Sequence, residues 1–134
     1  MNNSIILFSK FIILRKVFKT NNEIYMVKAT NIRVVYVSSD SYNNAMKIAR
    51  NIVSEKLCAC CSVIPNVISV FGWQGSINER NEFILMIKTS AAKIEALEAR
   101  ILELHCDEVP EIISLPLDVS SEPYLSWLEM ALND

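Results

Sequence analysis

The stretch "KLCACC", residues 56 to 61, holds three of the chain's four cysteines, and the fourth, Cys106, directly follows the only histidine, His105. These residue types hold soft and borderline metals. Thiolates suit Cu(I), and imidazole with carboxylate or thiolate suits Cu(II) or Zn(II). "HCDE", from His105 to Glu108, offers an imidazole, a thiol and two carboxylates in four residues, the densest donor group in the chain. If a metal binds, His105, Cys106 and Glu108 are the first ligands to test.

Spacing limits what the cysteine run can do. Read as a strand, Cys58 and Cys60 share a face with Cα atoms about 7 Å apart while Cys61 points the other way, so the three thiols do not clasp one ion without a bulge. No paired C-x-x-C knuckles mark a structural zinc site. Unpaired cysteines commonly pack as small hydrophobes, and a capping role at a helix end is the competing account of His105. Catalysis would need Cys106 with His105, but sequence neighbours at a helix end need not face each other. No glycine-rich oxyanion turn accompanies them, so the chain is not expected to be an enzyme.

The only two glycines, Gly72 and Gly75, flank Trp73, leaving no phosphate-binding glycine loop and no evident organic cofactor site. Phe71, Trp73, Tyr124 and Trp127 are read as core or interface anchors in preference to pocket walls. Adjacent cysteines make a poor disulfide framework, which favours a reducing compartment.

The elements that must position these groups follow from periodicity. "IRVVYVSS" is β-branched and reads as a strand. Ser39, Asp40 and Ser41 can cap a helix with Ala45, Ile48, Ala49, Ile52, Val53 and Leu57 at helical spacing. "SVIP", "NVISVFGW" and "NEFILMIKT" are β-rich; Pro65 should break or bulge the first, and "WQGSI" marks a hairpin turn. After Thr89 or Ser90, a helix carries Ile94, Leu97, Ile101 and Leu104 on one stripe. "EIISLPL" is a strand, and "SSEPYLSW" opens a last helix with Tyr124, Trp127, Leu128 and Ala131 on one face. This order predicts an α+β, ferredoxin-like βαββαβ sandwich with an antiparallel sheet and an extra C-terminal helix. Two helices cannot hide all the apolar residues of the sheet, so an oligomer is expected.

A chain of 134 residues with 51% hydrophobic and 21% charged residues suits one folded domain. Five basic residues against Glu23 give residues 1 to 28 a net charge of +4, leaving -6 on the rest. That acidic body argues against nucleic-acid binding. "SIILFSKFIIL" is too short to span a membrane. Residues 1–30 are assigned to an N-terminal extension that is disordered, targeting or a mis-assigned start, and residues 31–134 to the folded domain. A cytoplasmic location is expected, with organelle targeting by residues 1–25 left open.

From about residue 32 to residue 131 the motifs resemble the CutA family, the divalent-cation tolerance proteins. "KLCACCSVIPNVISVFGWQGSI" resembles the family's strand and hairpin, "MIKT" its next strand, "HCDEVPEIISLP" its histidine turn and "PYLSW" its last helix. The resemblance implies a homotrimer in which long hairpin strands complete neighbouring sheets, and a link to copper or another divalent cation. Cys60 matches the family's cysteine, and His105, Glu108 and Glu111 match its turn. The metal candidates are therefore His105, Cys106, Glu108 and Cys60. Cys106 and Asp107 stand where the family typically has Pro and Tyr; the thiol favours a soft metal, while the lost aromatic weakens any inherited stacking role. The competing expectation is a trimeric scaffold or signalling module for a protein or small metabolite, with incidental metal binding.

Overall fold

The computed structural model describes residues 26–133, and expectations about residues 1–25 lie outside the described residues. The main sheet contains β2 (Ile32–Ser39), β3 (Cys60–Trp73), β4 (Ser76–Ser90) and β5 (Ile112–Pro116). Its order is β3-β4-β2-β5, with every neighbouring pair antiparallel. Helices α1 (Tyr42–Ser54) and α2 (Ile94–Leu104) provide the connections of the ferredoxin-like unit. A short pair, β1 (Met26–Lys28) with β6 (Val119–Ser121), leads into α3 (Glu122–Asn133).

Local chemistry sets the boundaries. Ser41 is extended, and its hydroxyl accepts from the Asn44 N–H at 3.1 Å, which fixes the start of α1. Lys56, with φ 58°, turns the chain after α1 in the left-handed region. The hairpin between β3 and β4 turns through Gln74 and Gly75, both left-handed at φ 49° and 80°, as a two-residue hairpin turn requires. Pro65 and Asn66 face the single residue Phe83, because the register shifts between Ile64 and Val67. This is the bulge expected from Pro65. The β-rich pieces on either side join into one long strand.

The helix-side core comprises Val35 and Val37 of β2, Leu85 and Ile87 of β4, Ala45, Ile48 and Ile52 of α1, and Leu97 and Ile101 of α2. Burying each large aliphatic side chain contributes roughly 1.5–3 kcal/mol before chain entropy is counted. Asn44 joins the two helices: its Nδ2 donates to the Leu104 carbonyl at 2.9 Å, satisfying one of the free carbonyls at the end of α2.

Among the described residues, the opposite sheet face is covered only at the Ile32 end. There Leu125, Leu128 and Leu132 of α3 pack with Ala29, Ile32 and part of Cys60. The buried stripe of α3 is thus Leu125, Leu128 and Leu132, whereas Tyr124 and Trp127 stack on each other at 5.7 Å on an exposed flank. Met26–Lys28, placed with the extension on sequence, joins the folded body because its backbone finds a partner strand after β5. Elsewhere on this face Ile64, Ile113 and Leu115 remain exposed. Beyond the bulge, the hairpin extends past the other strands, with Ile68 68% and Ile77 84% exposed.

Candidate functional site

β2 ends at Ser39 beside the end of α2, and the chain from His105 to Glu111 crosses that end of the sheet before β5 begins. The projecting hairpin stands opposite. Between them lies an open groove of about 890 Å³, walled by Phe71, Trp73 and Arg80 of the hairpin and by Asp107, Glu108 and Glu111 of the loop.

Arg80 ties the two walls together. Its guanidinium donates to both Asp107 carboxylate oxygens, at 3.3 and 2.8 Å, and to Glu82 Oε2 at 2.8 Å. It also stands over the Phe71 ring, 5.7 Å from the centroid. Glu82 is 4% exposed, so this pairing is shielded from solvent on the carboxylate side. The Asp107 hydrogen bonds, followed by the one to Glu82, raise the Arg80 pKa and hold the guanidinium charged. Its Nε is buried without a hydrogen-bond partner.

His105 is the residue that ends α2, and its N–H donates to the Ile101 carbonyl at 2.9 Å. Its ring does not serve the helix carbonyls. Nε2 lies 2.6 Å from the Ser38 carbonyl, and Nδ1 lies 2.9 Å from the Asp107 backbone nitrogen. A carbonyl only accepts and a backbone N–H only donates, so the ring is the neutral Nε2–H tautomer with both nitrogens engaged. A metal at either nitrogen would have to displace one of these bonds.

The other candidates are distributed along the sheet. Cys106 and Glu108 are exposed on the loop beside His105. Cys60 lies at the opposite end: it faces Lys88, which faces Val34, whereas His105 touches Ser38 four residues farther along β2. At about 3.3 Å per residue that is roughly 13 Å along the strand. Cys60 Sγ instead contacts the Tyr124 hydroxyl at 3.7 Å, and burial with this thiol contact pushes the phenol up to about 12. Among the described residues no group of three or more His, Cys, Asp or Glu side chains is placed to hold a metal ion within one subunit.

The cysteine run also differs from the face pattern read from sequence. Cys58 precedes β3 and is buried in the helix-side core, where Cys61 also packs, while Cys60 faces α3. The left-handed turn at Lys56 brings the chain into the sheet only at Cys60, so strand alternation does not extend back to Cys58. Burial pushes the Cys58 thiol up to about 12, and Cys61 also to about 12 for the same leading reason.

Sequence reasoning singled out Phe71, Trp73 and the 105–108 run but missed Arg80 and Glu82. The available signal was "NERNE", a charged run at positions 78 to 82 inside a strand, placing Arg80 and Glu82 on one face.

Sheet order, projecting hairpin and loop groove define an α+β, ferredoxin-like fold in which the described residues leave one sheet face largely open. The model for CutA1 divalent ion tolerance protein matches residues 33–131, and the chain belongs to this family. The Xenopus laevis protein CutA homolog is 40% identical over 98 residues, spanning 73% of this chain and 65% of that protein. The divalent-cation tolerance protein CutA of Thermus thermophilus is 37% identical over 95 residues, covering 71% of this chain and 92% of that protein. The crystal structure of CutA1 from Oryza sativa, 33% identical, superposes with a TM-score of 0.74 over 79% of this chain and 99% of that one. Among the described residues no helix is long and apolar enough to cross a membrane.

Proposed function

We propose that this protein acts as a homotrimer that binds divalent metal ions, copper foremost, and contributes to divalent-cation tolerance without catalysing a reaction. Membership of a family named for that tolerance supports the role. The observation that carries the assembly is the open sheet face, where the described residues of one subunit leave Ile64, Ile113 and Leu115 exposed. Cys106 and Glu108 are exposed, whereas the described residues of one subunit supply no set of three clustered donors. Donors from a neighbouring copy would complete a ligand set around them, with His105 and Cys60 as the further candidates. Residues 31–134 would act as one domain in the cytoplasm, unless residues 1–25 direct the chain to an organelle.

The engagement of both His105 nitrogens favours a second reading, in which the trimer is a scaffold or signalling module and metal binding is incidental. Titration of reduced protein with Cu(II), and with Cu(I) under a reductant, separates the two. The metal reading expects saturable binding weakened at least tenfold in Cys106→Ser and His105→Ala. Equal weak binding by the parent and both variants would remove these ligands and leave the scaffold reading. Sedimentation of the same samples tests the trimer directly.

A further inference from the structure

Beyond the bulge at Pro65 and Asn66, the hairpin is a two-stranded arm running from the Val67–Glu82 pair to the Trp73–Ser76 pair. β2 flanks β4 only as far as Phe83, which faces Ser39, so among the described residues no third strand supports the arm. Two strands alone are marginal in water and twist more than a wider sheet does. The root of the arm is weak as well. Pro65 has no N–H to give to the ladder, Asn66 is left-handed at φ 62°, and neither is paired, so a bend there disturbs few strand hydrogen bonds.

Arg80 ties this arm to the body at one angle. Within the arm, Glu82 holds the guanidinium at 2.8 Å and the Phe71 ring centroid lies 5.7 Å from it. The arm therefore sets the direction of the guanidinium, and both Asp107 oxygens receive it only when the arm stands correctly against the loop. Asp107 is itself anchored: its N–H donates to His105 Nδ1, and the other ring nitrogen bonds the Ser38 carbonyl of β2. A continuous run of hydrogen bonds joins arm to sheet.

We propose that the Arg80–Asp107 contact is an assembly latch, which fixes the angle of the arm in each subunit before the copies meet. The inference rests on the trimer reading above. Ile68, Val70 and Ile77 of the arm are 68%, 62% and 84% exposed in one subunit. An arm that swings at its root carries these apolar side chains through many orientations, few of which suit a neighbouring copy. A latched arm presents them in one, so association meets a smaller ordering cost. Once assembled, the neighbouring copies hold the arm, and the latch acts on association in preference to dissociation.

Refolding of the full chain from urea at several protein concentrations provides the test, and subunit exchange between unlabelled and isotope-labelled trimers measures dissociation. The expected result for Asp107→Ala is a concentration-dependent phase slowed at least tenfold, with exchange close to that of the parent. Arg80→Lys keeps a charge beside Glu82 but loses the forked geometry that serves both carboxylates, and should slow the same phase. It remains informative if Asp107→Ala fails to fold. A trimeric parent whose concentration-dependent phase is unchanged in the variants, or a slowing confined to the concentration-independent phase, would overturn the latch alone. A parent that sediments as one chain would remove the trimer reading and the latch with it.

Discussion

Arg80 of the hairpin and Asp107 of the loop after α2 meet through two hydrogen bonds, at 3.3 and 2.8 Å, and thereby join segments 27 residues apart. The Asp107 backbone N–H donates to His105 Nδ1 at the same time. One residue thus fixes both the hairpin's approach and the imidazole. Both charged side chains are less than a third exposed, and truncating one partner leaves the other under-satisfied. Asp107→Ala is expected to cost about 1–3 kcal/mol, with Asp107→Asn intermediate. Thermal unfolding at fixed protein concentration, with an Arg80/Asp107 double-mutant cycle, measures it. A coupling indistinguishable from zero would show that the contact adds nothing to stability.

His105 should carry its proton on Nε2, because the Ser38 carbonyl requires a donor and the Asp107 N–H requires an acceptor. Nitrogen chemical shifts of the imidazole distinguish the tautomers. The Nδ1–H form would be incompatible with this arrangement. His105→Ala leaves the Ser38 carbonyl and Asp107 N–H without these partners, at an expected cost of about 1–3 kcal/mol.

Much of this architecture was legible in the sequence. The β-branched run "IRVVYVSS", Pro65 and the Gln74–Gly75 turn specify local geometry through short-range sterics, and all appear where the sequence reading places them. Leu97, Ile101 and Leu104 likewise form the predicted buried stripe. The site was less legible because its contacts are long-range. Nothing local connects Arg80 to Asp107, or the His105 ring to Ser38, 67 residues away. The faces of the cysteine run were misplaced for a related reason: the left-handed residue Lys56 sets where strand periodicity begins, and no glycine marks it.

Thiol chemistry should follow burial. Cys106 is exposed and Cys58 is 2% exposed, so a disulfide reagent should modify Cys106 first and Cys58 only on unfolding. Rapid modification of Cys58 in the folded protein would contradict its place in the core.

The same burial predicts an alkaline limit. Folding raises the Cys58 and Cys61 pKa values from the ordinary 9.0 to about 12, so the folded state favours the protonated thiols. Their contribution to stability is intact below about pH 9 and is lost as pH rises through the folded values. The slope is at most about 1.4 kcal/mol per pH unit for each thiol. Urea unfolding at pH 8 to 10.5 should show this decline, and Cys58→Ala should reduce it. An unchanged slope in Cys58→Ala would assign the alkaline loss to other groups.

The proposed assembly makes a demand on Met86. It lies on the open face of β4, opposite Tyr36 on one side and Ser62 on the other, and the Tyr36 hydroxyl lies 3.7 Å from its sulfur. A subunit working alone could hydrate a carboxylate there, because no helix among the described residues lies over this part of the face. Buried between copies, the same carboxylate would lose its water, and pairing with Lys88 would draw that ammonium from the Met86 carbonyl and the Ser62 hydroxyl it now serves, so desolvation would oppose association. Met86→Glu is therefore expected to reduce the sedimenting mass from three chains to one while the far-ultraviolet dichroism retains its α+β form. A trimer unaffected by Met86→Glu would place the interface elsewhere, and a parent protein that sediments as a folded monomer at micromolar concentration would refute the assembly itself.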